Sequence, residues 1–168
     1  GAAESFACRA VENGKDIFVG ALGGLAFVLE SRGYFLPKEL LGAVAEIFSS
    51  TKIKIIGHDV KRLVKILTLQ KIVAQNPLFD VMIASYLLNP GSRAHDPASV
   101  VLKVLGKELL SGSGQESLFG FDAKTIVNEL FLINECAPDL AASLRAIDDY
   151  GLIEKIECPL IFVLADME

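Results

Sequence analysis

FDVMIASYLLNP, residues 79–90, has the composition of a short buried helix with a start signal and a stop signal. Asp80 can accept hydrogen bonds from the free N–H groups of a first helical turn, and NPG at residues 89–91 ends the run. Asp96 then caps a second helix, with Pro97 at the first position, where a missing N–H costs nothing. Apolar residues at helical spacing predict the buried side of the first helix: Met82, Ile83, Tyr86 and Leu87.

Strands are predicted mainly before this segment and helices mainly after it. β-Branched and aromatic residues with glycine punctuation indicate strands at 6–8, 17–29, 34–36 and 52–56. Helices are predicted at 38–48, 60–69, 81–88, 97–105, 123–134, 139–150 and 152–168, the last interrupted by Pro159. The glycines within residues 20–24 indicate a bulge or a close backbone approach, since no phosphate-loop motif follows. This order predicts an α/β fold with a mixed sheet flanked by helices.

Composition limits the classes of function. A chain of 168 residues with 52% hydrophobic residues predicts one globular domain, and no apolar run is long enough to span a membrane. No charged-then-apolar leader is visible, so a secreted precursor is not indicated. The three cysteines are widely spaced and form no metal motif, which predicts reduced, buried thiols in the cytoplasm. The net charge of −5 argues against a strongly basic nucleic-acid binder.

Few residues suggest chemistry by their spacing alone. His95 and Asp96 are adjacent in sequence, which does not place them as a catalytic base and its orienting group. Asp148 and Asp149 diverge on a helix and look like surface charge. The most basic segment could contact DNA weakly, could touch a neighbouring domain, or could be a solvated edge; it contains Lys52, Lys54, Lys61, Arg62, Lys65 and Lys71.

Four motifs carry a resemblance to a known family. They are FD-x-M-x-ASYLLNP followed by HD, then GLAF at 24–27, GHDVK at 57–61 and ECPL at 157–160. Together they resemble the 3′–5′ proofreading exonuclease domain of bacterial family A DNA polymerase I. The resemblance implies a ribonuclease H-like exonuclease fold over residues 1–168, with 152–168 leading toward the polymerase domain of the same chain. It also implies that the protein contacts DNA through the parent polymerase.

The resemblance further implies a site for two divalent ions, Mg²⁺ or Mn²⁺, held by carboxylates. An ungapped match places Arg9 and Val11 at the Asp and Glu positions of the first strand, and Leu63 at the second Asp position. The Tyr-x-x-x-Asp of a late helix matches best at Glu135 to Asp139, which keeps only the Asp. Two hard cations need several anionic oxygens, so neither a metal nor another cofactor is expected here.

The leading hypothesis is therefore a vestigial, catalytically inactive exonuclease-like domain. Its role would be structural support of the polymerase domain, within a DNA-directed DNA polymerase that acts in replication and repair. The first alternative is an active metal-dependent exonuclease with relocated carboxylates, such as Glu12, Asp16, Asp59 and Asp139. A third class is a pure interaction module whose apolar cleft binds a partner or a small ligand.

Overall fold

The computed structural model describes residues 4–13, 21–109 and 123–167. The first part of the strand predicted at 17–29 and the Ser/Gly-rich segment at 111–117, which its composition predicts to be a loop, lie outside these ranges. The described strands are β1 (Ser5–Asn13), β2 (Ala21–Leu29), β3 (Arg32–Pro37), β4 (Lys54–Gly57) and β5 (Leu78–Asp80). They form a five-stranded sheet of order β3-β2-β1-β4-β5. β1 pairs antiparallel with β2, and β2 with β3, whereas β1, β4 and β5 are parallel neighbours.

Helices follow the strands and flank the sheet. A 3₁₀ helix (Lys38–Val44) runs directly into α1 (Ala45–Phe48), and α2 covers Val60–Leu69. After β5 come α3 (Val81–Leu88), α4 (Pro97–Leu105), α5 (Ala123–Ala146) and the short α6 (Tyr150–Leu152). A π-helical segment (Ile153–Glu157) joins α6 to α7 (Cys158–Met167). The predicted mixed sheet flanked by helices is confirmed.

Both faces of the sheet are buried near its centre. α5 packs across β1, β2, β3 and β4 on one face. Side chains alternate along a strand, so Phe6 lies on the face of β1 opposite to Arg9, which points to α5. On that face, opposite to α5, Phe6, Phe27 and Phe48 form an aromatic cluster with ring centroids 5.7–6.2 Å apart. Because α1 supplies Phe48, even this short helix contributes to the core.

The glycine-rich part of β2 contains a bulge, as predicted. Val11 of β1 pairs with Gly24, but Glu12 pairs with Leu22, so Gly23 is the extra residue of β2. At Gly24 the backbones of β2 and β3 also approach each other closely, because a Cβ atom at this residue would lie 2.2 Å from the carbonyl oxygen of Leu36. A bulge bends the strands and turns side chains, and this one lies beside Val11 and Glu12.

The two helices predicted at 123–134 and 139–150 are one helix, α5. Pro138 lies inside it, although a proline removes an intrahelical hydrogen bond and crowds the preceding turn. Buried residues lie on both sides of the proline, including Ile133 and Leu140. Their burial in the core holds one helix where local propensity favours a break. The helix ends at Ala146, before Asp148, whose backbone adopts φ of +62°.

The caps predicted around residues 79–97 are confirmed. Asp80 accepts from the N–H of Met82, and Asp96 accepts from the N–H of Ser99, with proline following it. The predicted buried stripe of α3 is right only in part: Ile83 and Leu87 are half-buried against the core. The fully buried residues are Val81, Ala84 and Ser85, and Tyr86 is 52% exposed. Residues 78–80 also form a buried strand, which the helix signal at Asp80 concealed.

Among the helices within the described ranges, none combines the length and the apolarity that crossing a bilayer requires.

Candidate functional site

A cleft of about 320 Å³ lies where the parallel strands β1 and β4 end. β1 pairs with β4 only from Ser5 to Ala7, and the two strands are no longer paired beyond Ala7. Residues 8–12 of β1, the turn at His58 and Asp59, α2 and α5 line the space between them. The carboxyl ends of parallel strands are a frequent place for binding sites in α/β folds. The position therefore qualifies this cleft as the candidate site.

The floor of the cleft is apolar. Val11 and Leu63 are each 3% exposed, and Leu130 and Ile133 of α5 are 2% and 1% exposed. These four side chains come from β1, α2 and α5, so the floor is the place where the three elements meet. Buried aliphatic groups stabilise the fold but offer no ligand to a cation.

Two ion pairs occupy the rim of the cleft. The guanidinium of Arg9 on β1 donates to the carboxylate of Glu129 on α5. Arg62 on α2 binds Glu12 on β1 in the bidentate manner, Nε to Oε1 at 2.6 Å and an Nη to Oε2 at 2.8 Å. Both pairs thus tie a helix to β1, and each uses a carboxylate that faces the cleft.

The charge of the rim is largely balanced within the protein. The hydrogen bond from Arg62 holds the pKa of Glu12 below its ordinary value of 4.5, against the opposing effect of burial. The described lining contains three carboxylates, Glu12, Asp59 and Glu129, and two guanidinium groups. Asp59 is thus the lining carboxylate for which no arginine pair is seen in the described part of the chain.

A buried carboxylate behind the cleft holds two helix N-termini. Asp80 is 1% exposed, and its oxygens accept from the backbone N–H groups of Asp59 at 3.3 Å, Val60 at 2.7 Å and Met82 at 2.9 Å. It therefore caps both α2 and α3. Asp59 precedes α2 with φ of +54° and does not cap that helix with its own side chain. Burial, only partly opposed by these hydrogen bonds, raises the pKa of Asp80 above 3.8.

The two histidines connect loops near the same end of the sheet. Nε2 of His58 lies 2.6 Å from the carbonyl oxygen of His95, to which it donates. Nδ1 of His95 lies 3.0 Å from the hydroxyl of Ser85, and its Nε2 lies 3.0 Å from the carbonyl oxygen of Ser92. His58 lines the cleft, whereas His95 joins the turn at residues 92–95 to α3.

Three of the four residues assigned to the family's metal positions line one cleft. Arg9, Val11 and Leu63 lie together there. Asp139 does not: it is exposed and absent from the lining. The face of α5 toward the cleft presents Ile126, Glu129, Leu130 and Ile133, and with 100° per residue Asp139 points elsewhere. Glu135 is also exposed and is paired with Lys107.

The sequence interpretation overlooked Glu129. Its signal was available, because residues 126, 129, 130 and 133 follow helical spacing on one face of α5. A carboxylate within that otherwise apolar stripe requires a partner, and Arg9 is that partner. Of the carboxylates considered for a relocated site, Glu12 and Asp59 line the cleft. Asp16 lies outside the described residues.

The basic residues of 52–65 are distributed over several elements. Lys52 is exposed ahead of β4, and Nζ of Lys54 lies 3.4 Å from the hydroxyl of Tyr150. Lys61 and Lys65 are half-buried on α2, while Arg62 is bound to Glu12. They therefore do not act as one uniform set of cations.

Cysteines and acidic clusters offer no alternative centre in the part of the chain that the structure covers. Cys8, Cys136 and Cys158 are free and buried. Burial raises the pKa of Cys8 well above 9.0 and that of Cys136 and Cys158 to about 11, so all three are neutral thiols. No group of three or more His, Cys, Asp or Glu residues within the described ranges is arranged to hold a metal ion.

Comparison with known proteins agrees with this geometry. The family described as DNA polymerase I, ribonuclease H-like domain, matches residues 14–132. DNA polymerase I of Bacillus subtilis is 30% identical over 160 residues, which cover 86% of this chain and 18% of that protein. The chain thus spans less than a fifth of the length of that relative.

Solved structures share the fold at low sequence identity. The structure described as the POL domain of Pol1 from M. smegmatis, in complex with DNA primer-template and dNTP, superimposes with a TM-score of 0.77. That match has 20% identity and covers 99% of this chain and 28% of the other. Brucella melitensis NrnC with bound Mg²⁺ gives a TM-score of 0.80 at 12% identity, covering 99% of this chain and 85% of the other. The predicted fold and family are confirmed: this chain belongs to the family of ribonuclease H-like, 3′–5′ exonuclease-type domains of DNA polymerase I.

Proposed function

We propose that this domain has lost the exonuclease chemistry of its family and now serves as structural support for the polymerase domain of the same chain. The observation that carries the proposal is the pairing of Arg9 with Glu129 and of Arg62 with Glu12. Two carboxylates that face the cleft are thereby bound to guanidinium groups. The negative charge of these two carboxylates is therefore neutralised by arginine side chains of the same domain.

The donor set does not fit a pair of divalent cations. Mg²⁺ and Mn²⁺ prefer oxygen ligands, and two-metal hydrolysis holds its ions about 4 Å apart between converging carboxylates. Val11 and Leu63 supply no oxygen, and Arg9 adds a positive charge beside the place where an ion would bind. A neighbour of the same fold, Brucella melitensis NrnC, binds Mg²⁺, so the architecture alone does not prevent binding. The side chains of this chain oppose it.

One arrangement favours the alternative of an active nuclease. Glu12, Asp59 and Glu129 all line the same cleft, and release of both arginines would leave three carboxylates around it. An active site of this kind would require each ion pair to open when metal and DNA arrive. The bidentate Arg62–Glu12 geometry opposes such opening, because paired hydrogen bonds to a charged group are among the stronger ones in proteins.

A nuclease assay tests the proposal. Single-stranded DNA labelled at its 3′ end, incubated with the protein and Mg²⁺ or Mn²⁺, should release no more label than a blank with chelator. Glu12→Gln combined with Glu129→Gln is the matched control, because it removes the carboxylates and leaves a contaminating nuclease unaffected. Metal-dependent release that this double variant abolishes would overturn the proposal in favour of the active nuclease.

Support of a polymerase domain, in DNA replication and repair, is the second part of the proposal. The curated relatives are DNA polymerases I of which this chain spans a minor part, and the M. smegmatis structure joins this fold with a longer chain bound to DNA. We extend the proposal to weak DNA contact through the lysines at 52, 54, 61 and 65. Arg62 contributes less, because Glu12 already neutralises it.

A further inference from the structure

We draw no further inference here: the strongest candidate, the apolar pocket of about 470 Å³ that lies between the face of β1, β2 and β3 opposite to α5 and the 3₁₀ helix with α1, lined by Phe6, Phe27 and Tyr34 among others, carries no proposal because nothing in the structure shows what covers it.

Discussion

Replacement of Asp80 should destabilise this domain more than replacement of any exposed cap. Its carboxylate accepts three backbone hydrogen bonds, from Asp59, Val60 and Met82, and it is 1% exposed. Loss of one helix cap costs about 0.5–2 kcal/mol, and Asp80 caps two helices. The N–H of Val60 would be left buried without an acceptor, which adds to the cost. We therefore expect Asp80→Ala to lower the free energy of unfolding by about 2–4 kcal/mol.

Asp96 provides the matched control. It caps α4 alone, accepting from the N–H of Ser99 at 3.0 Å, in an exposed position. Asp96→Ala should lower the free energy of unfolding by about 1 kcal/mol. Equilibrium urea unfolding of both variants, with unchanged m-values, measures the difference. If Asp80→Ala costs no more than Asp96→Ala, the double-cap explanation is refuted.

The two aspartates should also respond to pH with opposite signs. Burial raises the pKa of Asp80 in the fold, so between its unfolded and folded pKa values the folded state holds a proton that the unfolded state has released. Its contribution is complete below the unfolded pKa and is lost as pH rises through the folded pKa. The hydrogen bonds from Ser99 lower the pKa of Asp96. Its contribution is present above the unfolded pKa and is lost as pH falls through the folded one.

Urea unfolding at several pH values measures this difference of sign. On acidification the wild type should gain stability relative to Asp80→Asn and lose stability relative to Asp96→Asn. If both stability differences between the wild type and a variant changed in the same direction with pH, the assigned causes of the two pKa shifts would be contradicted.

Two substitutions test backbone features of the fold. Gly57→Ala should lower the free energy of unfolding by about 1–3 kcal/mol, because a Cβ there would lie 2.9 Å from Cγ2 of Val60 and 3.1 Å from the carbonyl oxygen of Cys8. Gly42→Ala, which meets nothing within 4 Å, is its control in the same urea titration and should show no such loss. Pro138→Ala should raise the free energy of unfolding by about 1–3 kcal/mol, because it returns an N–H to the middle of α5. A loss of stability on Pro138→Ala would show that α5 depends on its proline.

The properties of neighbouring residues in the sequence were sufficient to predict the helix caps and the class of fold. Asp80 and Asp96 act as the sequence predicts, because a cap depends on a few neighbouring backbone groups. Strands followed by helices likewise indicated the mixed sheet. The fusion of two predicted helices into α5 was not predictable in this way. It depends on burial in the core on both sides of Pro138, which outweighs the local preference for a break.

The residues of the candidate site also fall into two groups, those that the sequence predicted and those that only the tertiary structure places. From the sequence alone, family resemblance brought Arg9, Val11 and Leu63 to one cleft, because their distances from the shared motifs are fixed by adjacent strands and helices. Asp139 and Glu129 are different, since the direction of a side chain on a long helix depends on how that helix packs. Only the tertiary structure decided that Glu129 enters the cleft, that Asp139 leaves it, and that each arginine has a carboxylate partner. The chain fixes which charges exist, and the packing of α2 and α5 on β1 determines which of them meet.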